Sequence, residues 1–113
     1  MSVDDYTDDE KWLIVTGRRW RRTDPGLEPR VVEELKSHLG AARKAVGKAK
    51  KAGAEDDLAE ARRRVNAAKI GLGERGDYWW EMAIEDRRAR AEAALRGGGG
   101  EGAGPPGAGG GRA

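Results

Sequence analysis

The chain has 113 residues, with 22 basic side chains against 20 acidic ones, one histidine and no cysteine. That length allows one domain, and the lack of thiols excludes a disulfide framework, a cysteine metal site and a cysteine nucleophile. The longest strongly apolar run, Trp12 to Val15, is far short of a membrane span, and the acidic start has no secretory h-region, so the expectation is a cytoplasmic protein.

The net charge of +2 conceals a division along the chain. Residues 1–10 hold five acids and no base, and read as a flexible acidic N-terminus. Residues 11–51 hold twelve bases against four acids, a local charge of +8. The cationic character is therefore concentrated in the first half.

Residues 11–22 read as a β-hairpin. Trp12, Leu13, Ile14 and Val15 favour a strand, Thr16-Gly17 suits a two-residue turn, and Arg18 to Arg22 returns. This turn sets Val15 opposite Arg18 and Leu13 opposite Trp20. Alternation then puts Leu13, Val15 and Trp20 on one face, and Trp12, Ile14, Arg19 and Arg21 on the other. The first face has more apolar residues and is expected to pack inward. Thr23-Asp24-Pro25-Gly26 is a turn signal.

Two matching stripes follow. Val32, Leu35, Leu39, Ala42, Val46 and Ala49 recur at alternating spacings of three and four, as do Ala54, Leu58, Ala61, Val65, Ala68 and Leu72. Each reads as a coiled-coil seam, on helices over 29–52 and 55–72. The short break at Gly53 folds them into an antiparallel helical hairpin. Pro29 suits the first position of one helix, and Glu55, Asp56 and Asp57 suit the dipole at the start of the other.

Gly71-Leu72-Gly73-Glu74-Arg75-Gly76 spells the dinucleotide fingerprint G-x-G-x-x-G. The context is wrong, because here a helix ends where that motif needs one to begin. The glycines are expected to serve as a cap and a loop. A third helix is predicted over 78–96, capped by Asp77. Residues 97–113 are nearly all Gly, Ala and Pro, and read as a disordered tail. The predicted fold is α+β and mostly α: a β-hairpin on an antiparallel helical hairpin, a third helix, and a single small domain over 11–96.

Catalytic chemistry is not expected. His38 is the sole histidine, and the adjacent Ser37 points about 100° away from it on a helix, so the two do not form a nucleophile–base pair. One histidine does not make a metal site, and no cofactor is expected. The seam edges are more informative. With Leu39 at position a, the e positions are Lys36, Arg43 and Lys50 on the first helix and Glu55, Arg62 and Lys69 on the second. Antiparallel pairing sets Lys50 by Glu55, Arg43 by Arg62, and Lys36 by Lys69, so two of three pairs repel. The opposite edge is small and nearly uncharged, and is expected to receive the β-hairpin and the Trp79-Trp80 segment.

A row of like charges costs stability, and a bound polyanion relieves it. Arg18, Arg19, Arg21 and Arg22 extend the same field, and Trp12 offers a stacking surface beside Arg21. The expected function is contact with DNA or RNA phosphate backbones through Arg19, Arg21, Lys36, Arg43, Lys50, Arg62 and Lys69. The alternative is a protein-interaction module, in which the Ala-rich tip beyond Val46 accepts a partner helix or a second copy.

The order of Trp12 to Val15, Gly17-Arg18-Arg19-Trp20-Arg21, Thr23-Asp24-Pro25, Asn66-Ala67-Ala68-Lys69, Gly73-Glu74-Arg75-Gly76 and Trp79-Trp80-Glu81 resembles a group of small uncharacterised bacterial proteins. Members of that group often carry the name "biopolymer transporter Tol". The resemblance covers roughly residues 11–81. It implies a family, and no activity, cofactor or site residue.

Overall fold

The computed structural model describes residues 6–98. Residues 1–5 and 99–113, including most of the expected tail, lie outside the described residues. The elements run α1 (Asp8–Lys11), β1 (Trp12–Val15), β2 (Arg18–Arg21), α2 (Pro29–Ala52), α3 (Glu55–Gly71), a 3-10 turn (Trp79–Glu81) and α4 (Ile84–Gly98). The architecture is mostly helical, with one two-stranded antiparallel sheet.

The N-terminal segment is ordered further than its charge predicts. Thr7 and Glu10 form a capping box, in which the Glu10 amide bonds the Thr7 side chain and the Thr7 amide bonds the Glu10 carboxylate. These two bonds satisfy orphan donors at the start of α1, which lies mostly within the stretch read as a flexible N-terminus.

The strand register is the one the turn dictates, with Val15 facing Arg18 and Leu13 facing Trp20. Thr16 and Gly17 both adopt positive φ, +51° and +77°, as a turn that follows the strand twist requires. The expected face does not pack inward, and the opposite face docks only at its base, with Ile14 62% exposed further out. Leu13, Val15 and Trp20 are 40%, 46% and 41% exposed. Trp12 and Arg21 dock instead, at the base of the ribbon. The Trp12 ring meets the Trp80 ring edge-on at 5.3 Å, and the Arg21 guanidinium lies 4.5 Å from the centre of the Tyr78 ring. Counting apolar residues per face undervalued one indole with an aromatic socket and one arginine with carbonyls to bind.

The helical hairpin is built as its stripes dictate. Leu35, Leu39, Ala42 and Ala49 of α2 are buried, as are Ala61 and Ala68 of α3 and Leu72 just past it. Both helices end in the same way. At Gly53, φ is +65°, and amides 53 and 54 bond carbonyls 50 and 49. At Gly73, φ is +85°, and amides 73 and 74 bond carbonyls 70 and 69. These are Schellman caps, which need a left-handed residue and favour glycine.

The third helix starts later than expected. Tyr78 is extended, Trp79–Glu81 forms a 3-10 turn, Met82 is extended, and α4 begins at Ile84. The reason is the Trp79-Trp80 pair, of which both members are buried. Neighbours on an α-helix diverge by about 100°, so a regular helix would leave one indole in water. The break lets Trp79 donate its Nε1–H to the Arg22 carbonyl (2.9 Å) while Trp80 meets Trp12 and stacks on Tyr78.

Two cores result. One is aliphatic: Leu27, Val31, Leu35, Leu39, Ala68, Leu72 and Ala91, where α4 closes the open end of the hairpin. The other is aromatic, the buried pair Trp79 and Trp80 with Tyr6, Trp12 and the part-exposed Tyr78 around it. Thus α4, rather than the β-hairpin, covers the small-residue edge near Gly71. A β-carbon at Gly71 would sit 2.5 Å from the Ala94 β-carbon and 3.3 Å from Leu35. Gly71→Ala is expected to cost about 1–3 kcal/mol by overpacking, and Ala94→Gly in the same chain to restore part of it. Urea unfolding of the single and double variants checks this.

Candidate nucleic-acid interface

The site depends on how the ribbon is held. Asp24, three residues beyond the ribbon, is 2% exposed, and Arg87 of α4 is 5% exposed. The guanidinium grips the carboxylate through two bonds, Nε to Oδ2 at 2.9 Å and an η-nitrogen to Oδ1 at 2.6 Å. Asp24 also accepts from the Gly26 amide at 2.8 Å, and its own amide donates to the Leu72 carbonyl at 2.9 Å. The bond to Asp24 raises the Arg87 pKa, against the opposing effect of burial. One turn residue is thereby tied to α3 and to α4.

Arginines secure the rest of the base. Arg21 donates to the carbonyls of Gly76 (2.8 Å) and Gly73 (3.4 Å), and Arg90 to that of Asp77 (3.0 Å). Burial lowers the pKa of both guanidiniums. Arg22 bonds the carbonyls of Asp9 (2.7 Å) and Trp12 (3.1 Å). Arg21 is therefore withdrawn from the surface to which the sequence pattern assigned it. Its guanidinium anchors the ribbon to the 73–76 loop.

The remaining assigned residues, Arg19, Lys36, Arg43, Lys50 and Arg62, are exposed, and Lys69 is half-buried. Arg19 lies over Trp12, 4.2 Å from the ring centre. Lys69 is where the helical edge meets the ribbon. Its ammonium stands 5.6 Å from the centre of the Trp20 ring, and Arg18 stands 4.8 Å from the same ring. Burial depresses the Lys69 pKa below the ordinary 10.5; Glu74 opposes that shift, and Arg75 and Arg43 reinforce it. The cations bearing on Lys69 are thus Arg75 and Arg43, where seam pairing named Lys36. Lys50 and Glu55 form no ion pair.

Sequence reasoning placed the stacking ring at Trp12 and left Arg75 out. Trp12 is half-buried against Trp80 with Arg19 over it; the rings with substantial exposure are Trp20 (41%) and Tyr78 (40%), and of these Trp20 is the one on the ribbon. Arg75 comes beside Lys69 because the Schellman cap at Gly73 turns the chain back over the last turn of α3. That glycine was the available signal.

Other features suit a polyanion less. A cleft of about 420 Å³ beside Tyr78 carries Asp77 and Glu81 against the single guanidinium of Arg21. No group of three or more potential metal ligands occurs among the described residues, and no described helix is long and apolar enough to cross a membrane.

Replacing Asp24 by Ala leaves a buried guanidinium unpaired and is expected to cost about 3–5 kcal/mol. Asp24→Leu with Arg87→Met is expected to recover most of that loss, because neither charge then remains. Chemical denaturation of the two variants provides the check.

The chain matches no family model, no curated protein and no solved structure.

Proposed function

We propose that this protein binds the phosphate backbone of nucleic acids through a cationic surface running from the α2–α3 edge onto the β-ribbon. The observation that carries the reading is the position of Lys69. Its ammonium stands 5.6 Å from the Trp20 ring, which Arg18 also borders, and its charge feels those of Arg43 and Arg75, with Glu74 the one acid bearing on it. Like charges held together in part-buried surroundings raise the free energy of the unliganded protein. Phosphates relieve that cost and release their counterions to the solvent. The binding residues are Arg18, Arg19, Lys36, Arg43, Lys50, Arg62, Lys69 and Arg75. Arg21 takes the structural role described above. A cytoplasmic location belongs to the same proposal, and so does kinship with the proteins named "biopolymer transporter Tol", which rests on motif order alone.

One observation favours a second reading, a protein-interaction module. A groove of about 290 Å³ beside the hairpin tip is lined by Ala45, Ala49, Ala52 and Ala61, with Lys48 from α2 and Asp57, Glu60 and Arg64 from α3. Small residues permit close helix approach, and the flanking charges complement those of a second copy in antiparallel register.

The two readings separate by experiment. Under the first, micromolar protein shifts nucleic acid at ~50 mM salt, and affinity falls steeply as salt rises. Replacing Lys36, Arg43, Arg62 and Lys69 by Gln is expected to weaken binding at least tenfold and to flatten the salt dependence by about 0.7–0.9 log units per contact removed. The melting temperature should stay level or rise. Absence of any shift at low salt, together with concentration-dependent dimerisation in sedimentation, would favour the second.

A further inference from the structure

The ribbon carries more than a phosphate-binding surface requires. Leu13, Val15 and Trp20 share one face, and all three are at least 40% exposed. The ribbon is docked at its base through Trp12 and Arg21, and its outer half, with Ile14 of the opposite face (62% exposed), is open to solvent. Arg18 and Lys69 border the Trp20 ring, and neither forms an ion pair among the described residues.

A duplex has phosphates and groove edges to offer, but its base planes are covered by their neighbours. It gains little from a flat indole set among cations. An unpaired strand offers both a bare base plane and flanking phosphates, and aromatic rings on a sheet surface suit it for that reason. An acidic peptide could meet the cations but has no plane to lay against the ring.

We propose that Trp20 is a stacking platform for an unpaired base, with Arg18 and Lys69 holding the adjacent phosphates. The ligand class is single-stranded nucleic acid. Neither stacking nor phosphate contact reads the 2′-hydroxyl, so RNA and DNA strands bind alike. In the free protein the two cations border the ring, which stays 41% exposed. On binding they turn to the phosphates and the base stacks on the open part of the ring, while Leu13 and Val15 extend the apolar floor beside it. This inference rests on the nucleic-acid reading above and names which form of the polymer the site takes.

The test is fluorescence anisotropy with the full chain at ~50 mM salt. The probes are labelled oligothymidine and oligouridine of about 12 nucleotides, a duplex of matched phosphate number, and polyglutamate as competitor. The unpaired strands are expected to bind about tenfold tighter than the duplex and within about threefold of each other. Trp20→Ala should weaken strand binding about tenfold and leave duplex binding within about twofold, while Trp20→Phe keeps most of the affinity. The exposed site of Trp20 leaves the fold of both variants intact, which circular dichroism verifies. Equal or tighter duplex binding overturns the inference, as does an unchanged affinity in Trp20→Ala or equally effective competition by polyglutamate. Those outcomes leave backbone binding standing. Failure of every nucleic acid to bind removes both.

Discussion

The buried contact between Asp24 and Arg87 holds the parts of this molecule in register. A desolvated ion pair is costly, and it persists where the geometry is bidentate and the remaining lone pairs find donors. Asp24 meets both conditions: two bonds from one guanidinium, a third from the Gly26 amide, and a backbone bond to Leu72. Its effect is topological. Residues 63 apart in sequence are clamped together, and the end of α3, the start of α4 and the exit of the ribbon meet at that point. A hydrophobic contact there would tolerate sliding; two parallel hydrogen bonds do not.

The clamp has a consequence for the surface. With α4 drawn across the open end of the helical hairpin, Gly71 and Ala94 close one edge of that hairpin. The ribbon cannot lie there. It turns to the other edge, where Trp20 meets Lys69. The aromatic cluster fixes its base and leaves its outer half in water. Side chains that could have formed a third layer of core are therefore displayed, and Lys69 of α3 meets them at Trp20. A surface of this kind is a by-product of packing at one level and the basis of the proposed activity at the next.

Much of this was legible in the residues. Alternating spacings of three and four located the two helices and the bend at Gly53, and the two-residue turn fixed the hairpin register. The glycines after α3 declared a helix end. Other parts were hidden, for physical reasons. Thr23-Asp24-Pro25-Gly26 reads as a surface turn, because nothing local shows that Asp24 will meet a guanidinium on a distant helix. The docked face of the ribbon was misread because its partners, Tyr78 and Trp80, lie far along the chain. Arg21 was grouped with the surface cations although its donors serve loop carbonyls. The capping box of Thr7 and Glu10 was readable, but the surrounding acids disguised it as a solvated tail.

The surface centred on Lys69 is where packing and proposed function meet, and it can be observed directly. Full-length protein labelled with nitrogen-15 would be titrated with an unpaired oligonucleotide, following backbone amides and indole N–H signals by nuclear magnetic resonance. The account predicts that the Trp20 indole and the amides of Arg18, Arg43, Lys69 and Arg75 shift together along one saturating curve, while the buried Trp79 indole stays in place. Shifts confined to the Ala45–Ala61 groove, or a spectrum unchanged at saturating oligonucleotide, would contradict it.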